Sequence, residues 1–146
     1  MKRFKFQLEP LMRIAHLKEE EARGNLLRAE LEVASSQRRL ATAVQESSNV
    51  EVQLSPERFD LFAFMAISDL HLRQIEFSVN VLHDSEERRT KRQVEWQSSK
   101  IESESYDRLR NRAFESFIEE FERQEQKETD EVASMMWLQN REGERI

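Results

Sequence analysis

Small and apolar residues recur every three or four positions through the first third of the chain, from Leu8 to Leu54. Eleven of the fourteen positions in this repeat are apolar. The positions are Leu8, Met12, Ala15, Glu19, Ala22, Leu26, Ala29, Val33, Ser36, Leu40, Ala43, Ser47, Val50 and Leu54. A repeat that keeps one phase over this length is typical of a coiled-coil helix. We therefore predict a first helix over about residues 8–53.

The apolar pattern changes after Pro56, although no further proline and no glycine occurs before Gly143. Residues 59–82 are rich in aromatic and aliphatic side chains, 84–108 are mostly polar, and 109–138 are amphipathic again. Ser55 can cap a helix and Pro56 suits a first helical position. These signals predict a tip helix over about residues 56–85 and a long C-terminal helix over about residues 86–139.

The fold class that follows is all-α: an antiparallel two-helix coiled coil with a short helical excursion at the tip. We expect residues 1–146 to form a single elongated domain. One possible register is a simple hairpin that turns at Ser55 and pairs the first helix with residues 56–103. That register leaves Phe114, Phe117 and Phe121 in water, although burying each ring stabilises a fold by roughly 1.5–3 kcal/mol.

A second register pairs the first helix with about residues 86–138 and brings the two termini together. It places the basic residues 1–14 beside residues 115–131, which carry eight acidic side chains against two basic ones. It also sets the large aromatic residues of the last helix against Ala15, Ala22 and Ala29, so that large side chains face small ones. We favour this register, which predicts that residues 12 and 132 lie close together.

Composition supports long helices and limits the classes of function. Charged residues make up 36% of the chain and hydrophobic ones 38%, with two glycines and two prolines. The net charge of −6 argues against a general nucleic-acid binder, which needs a positive surface. The absence of cysteine excludes disulfides and thiolate metal sites. No stretch approaches the roughly 20 apolar residues of a membrane span.

Residues that could carry catalysis are sparse. The spacing of His16, His71 and His83 matches no helical metal pair, which needs a separation of three or four residues. No glycine-rich loop exists to hold a phosphate. The carboxylates lie three or four residues from basic side chains, as in solvated helix pairs. We expect no catalytic residue, no metal, no cofactor and no small-molecule substrate, and therefore no enzyme.

Three segments can be interpreted either as purely structural or as binding sites. Arg88, Arg89, Lys91 and Arg92 form a basic cluster that is either a solvated helix face or a site for an acidic protein. The Phe4-x-Phe6 pair either touches a membrane or, as we favour, closes the hydrophobic end of the coiled coil. The apolar residues of 59–82 either bury one another or form a protein-binding surface.

The two ends of the chain resemble the flagellar export protein FliJ family. The first motif is Met1-Lys2-x-Phe4-x-Phe6-x-Leu8-Glu9-Pro10-Leu11-x-x-Ile14, followed by Lys18-Glu19-Glu20-Glu21-Ala22. The second is Gln126-Lys127-Glu128-Thr129-Asp130-Glu131-Val132-Ala133. Close resemblance covers about a third of the chain, and the Phe-x-Phe-x-Leu-Glu-Pro-Leu run is its most specific part.

The resemblance implies a fold and a role. Proteins of this family are antiparallel coiled coils, similar to the central stalk of rotary ATP synthases. They insert into the ring of the export ATPase (FliI-like), contact the export gate protein (FlhA-like) and escort export chaperones. We accordingly expect a non-enzymatic stalk and chaperone-escort component of the flagellar type III export apparatus, cytoplasmic and peripherally associated with the inner membrane. The alternatives are an injectisome stalk protein and a general coiled-coil scaffold or homodimer.

The resemblance also indicates where the gate protein binds. The family's gate-binding surface is an apolar stripe that ends in a histidine, on the helix after the first long one. Its nearest match here is Leu72, Ile75, Val79 and His83, with Glu76 where another apolar residue is common.

A separate prediction concerns the export ATPase. We expect the end that carries both termini to make this contact, because its charge is richest. The candidate residues are Arg3, Lys5 and Arg13.

Overall fold

Two long helices account for most of the chain. The structure, a computed structural model, describes residues 3–53 and 60–143, except for the side chains of 50–53. Helix α1 spans Glu9–Gln53 and helix α2 spans Leu61–Gly143. The two helices pack against each other and no strand occurs in the described residues, so the all-α coiled-coil prediction is confirmed.

The second helix corrects the predicted element boundaries. Two helices were expected to meet near residues 85 and 86, but α2 runs without interruption through both positions. The reason is that no proline or glycine occurs between its start and Gly143, and a change in hydrophobicity alone does not end a helix. The predicted cap at Ser55 and Pro56 lies outside the described residues.

The start of α2 is capped by Asp60, which sequence reasoning did not single out. One oxygen of its carboxylate accepts hydrogen bonds from the backbone N–H groups of Phe62 at 3.0 Å and Ala63 at 3.4 Å. These N–H groups have no partner within the helix, so a carboxylate at this position stabilises its first turn.

The chain divides into two compact units, each with one segment from either half of the sequence. Unit 1 comprises residues 1–15 and 102–146, and unit 2 comprises residues 16–101. In unit 2, Arg88 of α2 forms an ion pair with Glu32 of α1, with Nε and Oε2 3.3 Å apart. Ala43, farther along α1, shares a groove with Gln74, which lies earlier on α2. The two segments of unit 2 are therefore antiparallel.

The α1 side of the unit 2 core follows the predicted repeat. Ala22, Ala29, Val33 and Ala43 are all buried, as is the polar Ser36. Each lies at a position of the repeat found in the sequence. Because the buried side chains are mostly alanine, the repeat forms a seam that is narrow as well as continuous.

The α2 side of the core contains serines that the sequence pattern did not reveal. Ser78 and Ser85 are buried, and Ser85 has no exposed surface. The Ser78 hydroxyl donates to the Gln74 carbonyl at 2.8 Å, and the Ser85 hydroxyl donates to the Leu82 carbonyl at 2.7 Å. Serine can therefore be buried here, because its hydroxyl is satisfied within its own helix.

The core of unit 1 is formed by the start of the chain and the middle of α2. Met12 and Ala15 are buried on α1, and Ser103 is buried on α2. Residues 3–6 precede α1, and the Phe4 ring packs edge-on against Phe114, with ring centroids 5.2 Å apart. The Phe4 and Phe117 centroids are 5.6 Å apart. This packing places Phe4 in the closing role that we favoured for the Phe4-x-Phe6 pair.

These contacts overturn the register that we favoured. Glu9 lies beside Arg110, with Oε2 and Nε 3.9 Å apart, so Met12 lies near this part of α2 and not near residue 132. At 1.5 Å per residue, 22 helical residues separate position 132 from Arg110 by about 33 Å. Phe117 packs against Phe4, whereas Ala22 and Ala29 lie in unit 2.

The last part of α2 was expected to pair with α1 and does not. Every residue from 122 to 143 is exposed, including Val132, Met135 and Leu138, which the amphipathic pattern had assigned to the paired face. The physical reason is the register: α1 begins beside Arg110, and the contacts of described residues 3–6 with α2 extend as far as Glu120. We call residues 122–143 the α2 tail.

Candidate partner-binding surfaces

The basic residues at the start of the chain lie around the Phe4 packing site. Arg3 and Lys5 flank Phe4 on the segment before α1, and both are exposed. They share a shallow groove with Phe117 and Glu120. Basic and aromatic residues alternate along this segment. The Phe4 ring packs on α2, and the cations on either side of it remain at the surface.

Arg13, the third predicted cation, lies close to the same segment. It shares a groove with Lys5 and Arg110. Glu9 lies between two of these cations: its Oε1 is 3.8 Å from Arg13 Nε, and its Oε2 is 3.9 Å from Arg110 Nε. The structure thus brings Arg3, Lys5 and Arg13 to one region of unit 1. It adds Arg110, which only its proximity in the fold reveals.

The acidic segment was expected to lie beside the basic start of the chain, and the described contacts show this for one acidic residue. Of residues 115–131, Glu120 lines the groove that contains Arg3 and Lys5. Glu122, Glu125 and Glu128 lie on the α2 tail and are exposed. The surface of unit 1 therefore carries basic residues around Phe4 and an acidic segment farther along α2.

The α2 tail ends in an apolar cluster that we had not identified as a surface. Its members are between 52% and 62% exposed, and they are Val132, Met135, Met136, Trp137 and Leu138. The Arg141 guanidinium lies over the Trp137 ring, 4.7 Å from the centroid. Four of the five residues are consecutive, so their side chains are distributed around the helix. Exposed apolar side chains grouped in this way are typical of protein-binding sites.

The predicted gate stripe in unit 2 is divided by the structure. Leu72 is 64% exposed and Val79 45% exposed, whereas Ile75 is half-buried in the seam with α1. His83 is exposed, and its Nε2 lies 3.4 Å from Oε1 of Glu87. Leu72, Val79 and His83 are therefore available to a partner, and Ile75 supports the helix pair.

The exposure of individual side chains shows which described residues of the apolar segment lie at the surface of the chain. The sequence left open whether residues 59–82 bury one another. Within this chain Phe62 is 82% exposed, and Leu70 and Phe77 are each more than 60% exposed. Ser78 is buried in this part of α2, and Phe64, His71 and Ile75 are half-buried.

Two members of the basic cluster form ion pairs. Arg88 of the basic cluster pairs with Glu32, and Arg92 Nη1 lies 2.8 Å from Oε2 of Glu95. His16 and His71 are each half-buried. Among residues 3–53 and 60–143, no group of three or more metal-ligating side chains is assembled. Within the same ranges, neither helix is apolar enough over a sufficient length to cross a membrane.

The described residues form two long helices, and several large apolar side chains on them are exposed. The family model described as "Flagellar FliJ protein" matches residues 4–142, and the chain belongs to this family. The family consists of non-enzymatic components of the flagellar export apparatus. No match was found among curated proteins or among solved structures.

Proposed function

We propose that this chain is a stalk that couples the ring of the export ATPase to the export gate, and that it escorts export chaperones. In this proposal unit 1 binds the ATPase and unit 2 binds the gate protein. The chain performs no chemistry itself. It changes ATP hydrolysis by making different contacts with different conformations of the ATPase subunits.

The observation that carries the proposal is the α2 tail. An isolated helix is only marginally stable in water, and most helical stability in proteins comes from packing an amphipathic face. The α2 tail continues for 22 exposed residues, 122–143, and ends in a cluster of five apolar side chains. A ring lumen that accepts one helix would supply the missing packing.

The basic residues around Phe4 support the same assignment. Arg3, Lys5 and Arg13 lie in unit 1, as does the α2 tail. Exposed cations contribute to association mainly through long-range attraction, so this part of the contact should weaken as salt increases. The apolar cluster on the tail should contribute a component that does not depend on salt.

The gate contact is assigned to unit 2. Leu72, Val79 and His83 lie on one exposed face of α2, which can occupy a groove in a partner. Glu76 lies on this face between Leu72 and Val79. The proposal therefore includes a polar group at the centre of the contact.

Two matched variants, each assayed for both interactions, test the assignment of the ATPase to unit 1 and of the gate protein to unit 2. The tail variant combines Trp137→Asp with Leu138→Asp, and the gate variant combines Leu72→Asp with Val79→Asp. We expect the tail variant to lose stimulation of the ATPase while it still binds the gate protein. The gate variant should show the reverse behaviour, and both should retain the helical circular dichroism of the unmodified chain.

A third variant, with Arg3, Lys5 and Arg13 all changed to Glu, should reduce stimulation most at low salt. The proposal fails if the tail variant stimulates ATP hydrolysis normally. It also fails if one variant abolishes both interactions while remaining fully helical, because the two surfaces would then not be separate.

A further inference from the structure

The outward face of α1 in unit 2 carries large apolar side chains that nothing in the described chain covers. Leu17, Leu27 and Leu31 are 65%, 53% and 60% exposed. With 3.6 residues per turn, all three point within about 60° of the direction of Gly24. Helix α1 thus has a second apolar face in addition to its seam, centred on a glycine.

Packing among the described residues does not require a glycine at position 24. A Cβ atom built at this position would meet nothing within 4 Å. Apart from proline, glycine is the least favourable residue inside a helix, so alanine would make α1 more stable. A glycine on an outward face does have one structural benefit, since it allows the backbone of another helix to approach closely.

The charges around Gly24 are self-complementary about this residue. Glu20 and Glu21 precede it by four and three positions, and Arg28 follows it by four. If a second α1 crosses in the antiparallel direction at Gly24, Arg28 of each copy lies level with Glu20 and Glu21 of the other. Leu17 then lies level with Leu31. A parallel arrangement would instead place each charged residue beside the same residue of the other copy, and like charges repel.

We propose that this face binds a second copy of the chain in an antiparallel, two-fold symmetric contact centred on Gly24. A two-fold contact uses the same patch on both copies, as the pattern around Gly24 requires. In the single chain Arg28 Nη2 donates to Asn25 Oδ1 at 3.0 Å and Nε donates to the Gly24 carbonyl at 3.4 Å. On association the exposed guanidinium exchanges these bonds for the carboxylates of the other copy. The contact is short, so the dimer is weak and forms reversibly.

Sedimentation equilibrium over a wide range of protein concentrations tests the proposal directly. The unmodified chain should show a reversible monomer–dimer equilibrium. Gly24→Leu should weaken the dimer at least tenfold, because its side chain occupies the space of the second backbone. Gly24→Ala should also weaken the dimer, but it should raise the melting temperature of the monomer by about 2–4 °C.

Charge reversal with rescue tests the pairing itself. Arg28→Glu should weaken the dimer at least tenfold, and adding Glu20→Arg and Glu21→Arg to the same chain should restore it. Residues seven or eight apart lie two turns from each other, so pairing within the helix cannot explain such a rescue. Arg38→Glu is the control, because the Arg38 Nε also donates to a carbonyl four residues earlier, at 3.3 Å, and the residue is exposed. It should leave the dimer unchanged.

Three results would overturn the proposal. The first is a chain that stays monomeric at every concentration, even if other proteins bind this face. The second is a dimer that Gly24→Leu does not weaken. The third is a charge-reversed chain that keeps its helix content but is not rescued by the two compensating changes. The inference does not depend on the proposed stalk function, since no ATPase or gate protein enters the measurement.

Discussion

The segments of α2 on either side of Phe114 and Phe117 have similar kinds of sequence but different surroundings. Residues 71–103 combine charged side chains with serines, and three of those serines are buried. Residues 122–143 combine charged and large apolar side chains, and every residue is exposed. Burial in this protein therefore depends on which part of α2 has a partner, and hydrophobicity alone does not predict it.

The largest expected contrast comes from placing a charge in each region. Val33 is 6% exposed in the unit 2 seam, and Val132 is 52% exposed on the α2 tail. Val33→Asp should reduce the free energy of unfolding by about 3 kcal/mol, because it buries a carboxylate without a partner. Val132→Asp should change it by no more than about 0.5 kcal/mol. Urea denaturation of both variants measures the difference, and equal losses would show that the tail is packed.

A second contrast uses the size of serine. Ser85→Leu should destabilise the chain by about 1–3 kcal/mol, because the larger side chain forces apart helices that meet closely at this seam. Ser134→Leu, at an exposed position of the α2 tail, is the matched control and should have little effect. If Ser85→Leu stabilised the chain, the seam would have to contain space that a leucine can fill.

These serines mark the limit of what the sequence could predict. The repeat from Leu8 to Leu54 identified the buried positions on α1, since alanine, valine and methionine are recognisable as apolar. The complementary repeat on α2 is hidden, because Ser78, Ser85 and Ser103 are polar residues whose small size lets them be buried at the seam. Only one of the two helices therefore indicated its own packing face.

The wrong register has an equally specific cause. We assumed that only α1 could cover Phe114 and Phe117, and therefore moved the whole helix along α2 to reach them. The segment before α1 reaches them instead, through Phe4. The apolar residues of the tail added to the error, because Met135 and Leu138 have helical spacing and were interpreted as core.

The aromatic cluster should have an intermediate effect. Phe117 is half-buried against Phe4, so Phe117→Ala should cost about 2 kcal/mol, below the roughly 3–5 kcal/mol of a fully buried ring. Phe62→Ala, at an 82% exposed position, is the control and should cost little. A double-mutant cycle with Phe4→Ala should give a coupling energy of about 0.5–1.5 kcal/mol. A coupling near zero would mean that Phe4 does not cover Phe117 in solution.

The smallest expected effect comes from the ion pair between the helices of unit 2. Glu32 and Arg88 have side chains 58% and 56% exposed, so water screens their interaction. A double-mutant cycle with Glu32→Ala and Arg88→Ala should give a coupling of about 0.2–1 kcal/mol that decreases as salt is added. No coupling at low salt would argue that these residues are not neighbours. It would therefore also contradict the register of unit 2.

Hydrogen exchange along α2, with and without the export ATPase, tests the central claim most directly. In the free chain we expect slow exchange for the amides of residues 71–103 and rapid exchange for residues 122–143, because only the former segment is packed on α1. Adding the ATPase should protect the α2 tail and residues 3–6, and should leave residues 72–83 unchanged. Slow exchange of the free tail, or protection confined to residues 72–83, would contradict the account.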